Sequence, residues 1–536
     1  MSGLLSNLLN QKDVIQDSKN LIEEVYQLND LPWVIGYSGG KDSTATTQLI
    51  IDTLIDMSEK GIKLNKKIYI ISSNTMVENP MIINTIHDSI DKLNLLSKKL
   101  NLPISAHIIQ PKYSNTFFVN MIGKGYPAPN QTFRWCTDRL KIDPANQFIK
   151  SLVDEFGEVV MILGVRTGES NSRDRVLESH TIEGKKLMVH TTMPNAYVFA
   201  PIRAFTTDDV WNYLLTNKSP WGSDNNELFK LYNESTTGEE CPLIMDDAAK
   251  QQNNCGNSRF GCWMCTVVKE DKSLTGFIKS GHHWLGKLLE YRNWIYEIRD
   301  NNDMRMKRRT NGTIYFSKIK TMSENHLRIV AKGLKGQIDI KLEKKKWIDN
   351  NNEIWQVFTG ISSEDQARKY IAENNINLTN GNNPRIIIQQ FDGEFAQLAP
   401  GPFTLQSRKL MLEKLLILEK ELNRGKLITL EEINEIRKIW TKHGDYNDSA
   451  KEIYNKVYAD NKDLQDDDFT LLSEEDIKLI KDICKKERFD VDTFLQLLDN
   501  AKTYAGYKNR TDSLKEVKKI FNKEFLLVES GEEDEN

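Results

Sequence analysis

Cysteine is scarce in this sequence, and long apolar runs are missing from it. Six cysteines among 536 residues are too few for a disulfide scaffold. No window approaches 18 uninterrupted apolar residues, which excludes a membrane-spanning helix. The opening stretch "MSGLLSNLLNQKDVIQD" has no basic segment leading into a long apolar core, so no signal peptide is expected and the expected location is cytoplasmic. Excess charge of one sign is also lacking: the net charge of -4 excludes wholesale attraction to nucleic acid. No internal repeat is visible. What is present, 39% apolar and 28% charged residues, reads as a soluble globular protein, and the length implies two or three units.

Through the first 165 residues, short β-branched runs alternate with helical spacing. "WVIGY" at 33, "KIYIIS" at 67, "ISAHII" at 104 and "EVVMILG" at 158 read as strands, and Ser43 to Lys60 and Met81 to Leu100 as helices. Strand, helix, strand in repetition predicts an α/β fold, a parallel sheet with helices on both faces, and ligands beyond the carboxyl ends of the strands. From about residue 200 a helix, "TTDDVWNYLL", leads into a loop region rich in Gly, Asn and Cys. Residues 301 to 350 hold 13 Lys and Arg against 5 Asp and Glu, a pattern that suits either a phosphate-facing patch or a solvated face. Beyond "APGPF" at 399 to 403 the sequence reads as mainly helical, with "LMLEKLLILEKEL" strongly so and an acidic tail at its end. The expected division is 1–290, with the cysteine group at 241–265, then a basic mixed region at 291–400, then a helical C-terminal region at 401–536.

The stretch "WVIGYSGGKDST" at 33 to 44 offers a phosphate-binding turn that is not of the Walker type. Gly36 and Gly40 are separated by only three residues, and Asp42 stands where a magnesium-binding hydroxyl would be required. What remains is a strand, a Ser-Gly-Gly turn, and Lys41, Asp42, Ser43 and Thr44 opening a helix. Paired glycines let backbone approach an anion closely, and the hydroxyls of Ser38, Ser43 and Thr44 with the first amides of the helix can bind phosphate oxygens. Such a nest suits a pyrophosphate.

"SGGKDST" resembles the pyrophosphate loop, S-G-G-x-D-S, of the superfamily that joins ATP pyrophosphatases (PP-loop, adenine nucleotide alpha-hydrolase-like) with adenylyl-sulfate and phosphoadenylyl-sulfate reductases. Three further segments resemble the same group: "TFRWCTDRLKI" at 132 to 142, "LGVRTGESNSRDR" at 163 to 175, and "APIRAFTTDDVWNYL" at 200 to 214. The resemblance implies ATP bound with Mg2+ on Ser38, Gly39, Gly40, Lys41, Asp42, Ser43 and Thr44, with Arg134, Lys141 and Glu169 near the nucleotide. It also implies a catalytic set of Lys41, Asp42, Cys136, Arg166 and Arg173, the arginines serving as bidentate ligands for phosphate or sulfate oxygens. Ser170 falls at a matching position as well. Cys136 lies between Arg134, Arg139 and Lys141 in sequence, and cationic neighbours are expected to lower its pKa and enrich the thiolate. Sulfur carriage, a buried structural role and cluster ligation all remain open to it.

Cys241, Cys255, Cys262 and Cys265 follow a C-x13-C-x6-C-x2-C spacing. Four thiolates can close a zinc site or hold a [4Fe-4S] cluster, and the absence of a second C-x2-C knuckle leans toward iron-sulfur, with zinc as the alternative. With "CGNSRFGCWMCTVVKED" added, the segments over roughly 25 to 290 are similar to the DndC family, the ATP-pyrophosphatase and iron-sulfur component of bacterial DNA phosphorothioation. That resemblance implies an enzyme that cleaves ATP to AMP and pyrophosphate, activating a DNA backbone phosphate oxygen for replacement by sulfur. Its implied partners are DNA, a cysteine desulfurase, and the subunits DndD and DndE. The alternative is an adenylyl-sulfate or phosphoadenylyl-sulfate reductase. Reductases of that kind are usually much shorter, and those with clusters carry a Cys-Cys pair, whereas Cys136 follows Trp135.

Overall fold

The computed structural model describes residues 2–168, 187–189, 193, 195–235, 260–306, 316–318, 347–348, 354–355, 387–389, 395–398, 401–443, 445, 447–459, 464, 474–487, 489, 491–503 and 511–524. The chain divides into two compact units, residues 1–117 with 129–292, and residues 118–128 with 293–536.

The first unit is built on a sheet. Helix α1 (Ser2–Leu28) precedes strand β1 (Trp33–Gly36), followed by α2 (Lys41–Glu59), β2 (Ile68–Ser73), α3 (Pro80–Leu100) and β3 (Ile104–Ile109). After a helical turn at Trp135–Thr137 and a π-helical turn at Asp138–Ile142 come α4 (Asp143–Phe156), β4 (Val159–Ile162), β5 (Met188–Val189) and β6 (Ala196–Phe199). Helices α5 (Thr207–Thr216), α6 (Asn225–Ser235) and α7 (Lys272–Lys279) complete the unit, and α8 (Leu285–Ile298) runs across its end at Arg292. The strand order is β3-β2-β1-β4-β6-β5, with five strands parallel and β5 antiparallel at the edge. This is the expected α/β architecture, and its first four strands lie where the β-branched runs stand.

Alternation along β1 explains the two layers. Trp33 and Ile35 point into a core with Leu49, Ile50 and Leu54 of α2 and Ile86 and Ile90 of α3. Val34 points the other way, into a core with Ile149 and Leu152 of α4. Period two in the strand thus places helices on both faces. β1 is paired on both sides, Trp33 standing opposite Ile68 and Val160, so the turn that follows it leaves the middle of the sheet.

Local signals set the helix ends. The Asn79 side chain accepts from the Met81 amide at 3.0 Å with Pro80 at the first helical position, and α3 stops at Asn101, which has φ 50°. Thr206 and Asp209 form a reciprocal capping box at the start of α5. Helix α7 can approach α6 only because residue 276 is glycine, since a Cβ there would come within 2.3 Å of the Ser235 carbonyl oxygen.

The second unit includes a π-helical turn at Val119–Gly123 and helices α9 (Leu405–Leu422), α10 (Leu430–Lys442) and α11 (Ser449–Tyr458). Buried side chains tie them: Trp440 Nε1 donates to the Ile122 carbonyl at 2.9 Å and Arg408 Nη1 to the Gly123 carbonyl at 2.6 Å. Three more helices, α12 (Glu474–Lys486), α13 (Val491–Thr503) and α14 (Thr511–Glu524), follow, in keeping with the helical C-terminal region read from the sequence. Much of the basic 301–350 stretch lies outside the described residues. Among the described residues no helix is long and apolar enough to cross a membrane.

Candidate nucleotide and thiol site

The turn after β1 is held by its own side chains while its amides stay open. Ser38 N donates to Ser43 Oγ at 3.1 Å, the two serine hydroxyls are 3.0 Å apart, and Ser43 Oγ donates to the Gly40 carbonyl at 3.0 Å. Ser43 therefore staples the loop. Gly40 caps α2 with no side-chain acceptor, so the helix start is not satisfied from within. Among the described residues the amides of Gly39, Gly40, Asp42 and Ser43 have no hydrogen-bond acceptor, which leaves an anion nest at a helix N-terminus.

Glycine at 39 is required twice over. Its φ is +70°, and a Cβ there would lie 2.8 Å from Ile86 Cγ1. Gly164, in the turn after β4, approaches from the other side, where a Cβ would come within 2.8 Å of the Asp42 carbonyl oxygen and 3.0 Å of the Ser43 amide nitrogen.

Charge at the nest is concentrated on one triplet. Arg166, 6% exposed, donates from Nε to Asp42 Oδ1 at 2.6 Å, and Lys41 Nζ donates to Asp42 Oδ2 at 3.0 Å. Both carboxylate oxygens are thus engaged by cations that can also meet phosphate. Tyr232 on α6 completes the surround, its hydroxyl accepting from the Lys41 amide at 3.1 Å and Lys41 Nζ lying 5.5 Å from its ring centre.

A second group lies at the end of the neighbouring strand, β2. Residues 74–79 follow that strand, and Glu78 forms an isolated antiparallel bridge with Cys262. The Trp263 amide donates to the Val77 carbonyl at 3.0 Å, and the Cys265 amide to the Cys262 carbonyl at 3.0 Å. Thr75 Oγ1 is 3.3 Å from Cys262 Sγ and donates to Glu78 Oε1 at 2.9 Å, while Lys141 Nζ is 3.5 Å from the same carboxylate oxygen. Arg292, fully buried, donates to the carbonyls of Cys265 at 2.8 Å and Lys269 at 2.7 Å, fixing the turn beyond the thiols.

Cys136 belongs to this group. Burial raises its thiol pKa, and the nearby Cys265 raises it further. This corrects the expectation from sequence that Arg134, Arg139 and Lys141 lower it. Arg134 is exposed and Arg139 Nη1 donates to Asn115 Oδ1 at 3.2 Å, so adjacency in sequence does not bring those guanidinium groups to the sulfur. Cys262 is pushed up to about 12, first by desolvation and then by the Glu78 charge, with Lys141 acting in the opposite sense. For Lys141 desolvation lowers the pKa, but Cys262, Glu78 and Cys136 outweigh it and the net shift is upward. In metal-free protein, Glu78→Gln should therefore speed iodoacetamide alkylation of Cys262 by roughly three- to tenfold at mildly alkaline pH. Mass spectrometry of the labelled peptide checks this, and an unchanged rate would remove Glu78 from the account.

The structure brings Ser38 to Thr44 and Arg166 together in one group, and Cys136, Lys141, Cys262 and Cys265 in a second. Arg134 is exposed on the turn before Cys136. Arg173, Glu169, Ser170, Cys241 and Cys255 lie outside the described residues. Among the described residues no three His, Cys, Asp or Glu side chains are placed to hold a metal ion, so Cys262 and Cys265 do not form a complete cluster site with the described side chains alone. Sequence reasoning missed Thr75, Glu78, Tyr232 and Arg292. Of these, the 74–79 loop had a usable signal, since it follows a parallel strand at the edge where ligands collect.

The model of the phosphoadenosine phosphosulfate reductase domain matches residues 32–268, a span that contains both groups. An uncharacterized protein of Methanocaldococcus jannaschii is 23% identical over 292 residues, covering 54% of this chain and 47% of its own length. The chain thus spans about half the length of that curated relative. Solved structures similar to this chain include phosphoadenylyl-sulfate reductase from Candida auris in a phosphate complex, at 13% identity over 40% of this chain and 83% of that one, TM-score 0.26. The U34-tRNA thiolase NcsA from Methanococcus maripaludis with its [4Fe-4S] cluster matches at 13% identity over 53% and 80%, TM-score 0.26. A Candida glabrata FMN adenylyltransferase with FAD and inorganic pyrophosphate matches at 14% over 42% and 61%, TM-score 0.26.

Proposed function

We propose that this chain is an ATP pyrophosphatase of DNA phosphorothioation, cleaving ATP between its α and β phosphates to activate a DNA backbone oxygen for exchange with sulfur. The observation that carries the reading is the pairing of an open amide nest at the start of α2 with a thiol group at the end of the adjacent strand. The amides of Gly39, Gly40, Asp42 and Ser43 would receive the β and γ phosphates, and Lys41, turning from Asp42, would offset charge on the departing pyrophosphate. Arg166, beside Asp42, would meet the α phosphate. With Lys41 turned away, the Oδ2 of Asp42 would be free to hold magnesium, which would neutralise charge on the leaving group.

In the first step a non-bridging DNA oxygen attacks the α phosphorus, forming a P–O–P linkage to AMP while the α–β bond breaks and pyrophosphate leaves. In the second, a persulfide sulfur on Cys136, supplied by a cysteine desulfurase, attacks the DNA phosphorus and expels AMP. The remaining S–S bond is then cleaved by a second thiol, a role that would fall to Cys265, whose charge reaches Cys136, leaving a phosphorothioate and a disulfide for an external thiol reductant to reopen.

The test is pyrophosphate release from ATP by the whole chain, with and without duplex DNA and a persulfide donor. Release that depends on DNA and is accompanied by phosphorothioate in digested DNA is expected. Sulfite release from adenylylated sulfate, without ATP cleavage, would overturn the reading in favour of a reductase.

A further inference from the structure

The loop that forms the nest contains two adjacent glycines, whose freedom would have to be lost each time an anion bound. Two side chains already restrict it. Ile86 of α3 closes the space behind Gly39, and a Cβ on Gly40 would lie 3.2 Å from the Tyr232 hydroxyl. Tyr232 also accepts the Lys41 amide at 3.1 Å and lies under the Lys41 ammonium at 5.5 Å. Among the described residues, Lys41 and Ser38 are the positions in the loop whose amides meet a side chain, and Lys41 alone is held from a distant element.

Tyr232 is itself rigidly seated. It is 8% exposed, its ring meets Trp211 edge-on at 5.1 Å and Phe260 at 4.6 Å, and Ser235 Oγ donates to its carbonyl at 2.9 Å. The end of α6 is clamped in turn by Gly276 of α7. A tyrosine gripped by two aromatic rings and a helix contact can fix a glycine loop because it has few motions of its own.

We propose that Tyr232 is the positioning residue of the pyrophosphate nest. Its hydroxyl holds the Lys41 amide and its ring holds the Lys41 side chain, so the turn is shaped for a diphosphate before the nucleotide arrives. The inference rests on the reading of the turn as a diphosphate site. It does not depend on the DNA chemistry.

Calorimetric titration of the full chain with inorganic pyrophosphate and magnesium tests it without turnover. Tyr232→Phe keeps the ring and removes the hydroxyl, and should weaken pyrophosphate binding by about five- to tenfold with an unchanged melting curve. With ATP, KM should rise by a similar factor while kcat changes by less than about twofold. Pyrophosphate affinity equal to that of the unaltered protein would overturn the proposal, as would a collapse of kcat with unchanged affinity. Gly40→Ala crowds the same hydroxyl from the loop side and keeps the test decisive should the phenylalanine variant not fold; unchanged affinity there also overturns it. If the unaltered protein binds pyrophosphate but releases none from ATP, the functional reading fails while the role of Tyr232 is still decided.

Discussion

Asp42→Asn is expected to give a folded protein whose pyrophosphate release has fallen by about a hundredfold or more. The carboxylate accepts from Arg166 at 2.6 Å and from Lys41 at 3.0 Å, and it is the charge the nest can offer to magnesium. Asparagine keeps an oxygen that can accept from Arg166, so the buried guanidinium retains a partner while the charge is gone. Asp42→Ala is a different experiment. It removes the partner of an arginine that is 6% exposed, and an uncompensated buried cation of this kind costs on the order of 1–3 kcal/mol. Melting curves recorded beside the pyrophosphate assay separate the two: the alanine variant, which loses charge and hydrogen bond together, should melt below the asparagine variant, which loses only the charge. Full activity in Asp42→Asn would remove the carboxylate from the chemistry.

The sheet was legible because its strands are short β-branched runs bounded by polar residues, so β1 to β4 and the helices α2 and α3 fall where the pattern places them. Strands β5 and β6 were missed. Met188–Val189 is too short to show alternation, and Ala196–Phe199 reads as part of the segment leading into "APIRAF". The nest was visible because its chemistry is local, a glycine pair directly ahead of a helix. The thiol group is assembled from distant segments. Cys136 comes near Cys265, and Thr75 and Glu78 near Cys262, only through the crossing of the chain between β2 and residues 260–265. The direction of the Cys136 shift was misread because Arg134 and Arg139, near in sequence, do not bring their charge to the sulfur, and burial outweighs Lys141, which does.

Gly164→Ala should do as much damage to the nest as a change within the loop itself. Its Cβ would lie 2.8 Å from the Asp42 carbonyl oxygen, 2.9 Å from the Asp42 carbonyl carbon and 3.0 Å from the Ser43 nitrogen. All three are backbone atoms at the start of a helix and cannot swing aside as a side-chain tip can. Relief requires the first turn of α2 to move, which carries the Asp42 and Ser43 amides away from the place an anion would use. Pyrophosphate affinity is expected to fall roughly tenfold or more, with a stability loss of about 1–3 kcal/mol. Gly286→Ala is the matched control, since nothing lies within 4 Å of a Cβ there. Calorimetry and a melting curve on the pair decide the matter, and equal behaviour of the two variants would sink the argument from close approach.

The contact between Gly39 and Ile86 bears on how this protein can diverge. Position 86 belongs to no motif, sits in mid-helix, and would ordinarily be free to exchange one large apolar residue for another. Here its tip lies where a side chain on Gly39 would begin. Drift toward bulkier residues at 86 is thereby closed off unless the turn gives way, so a helix position with no chemistry of its own inherits the constraint of the loop it backs.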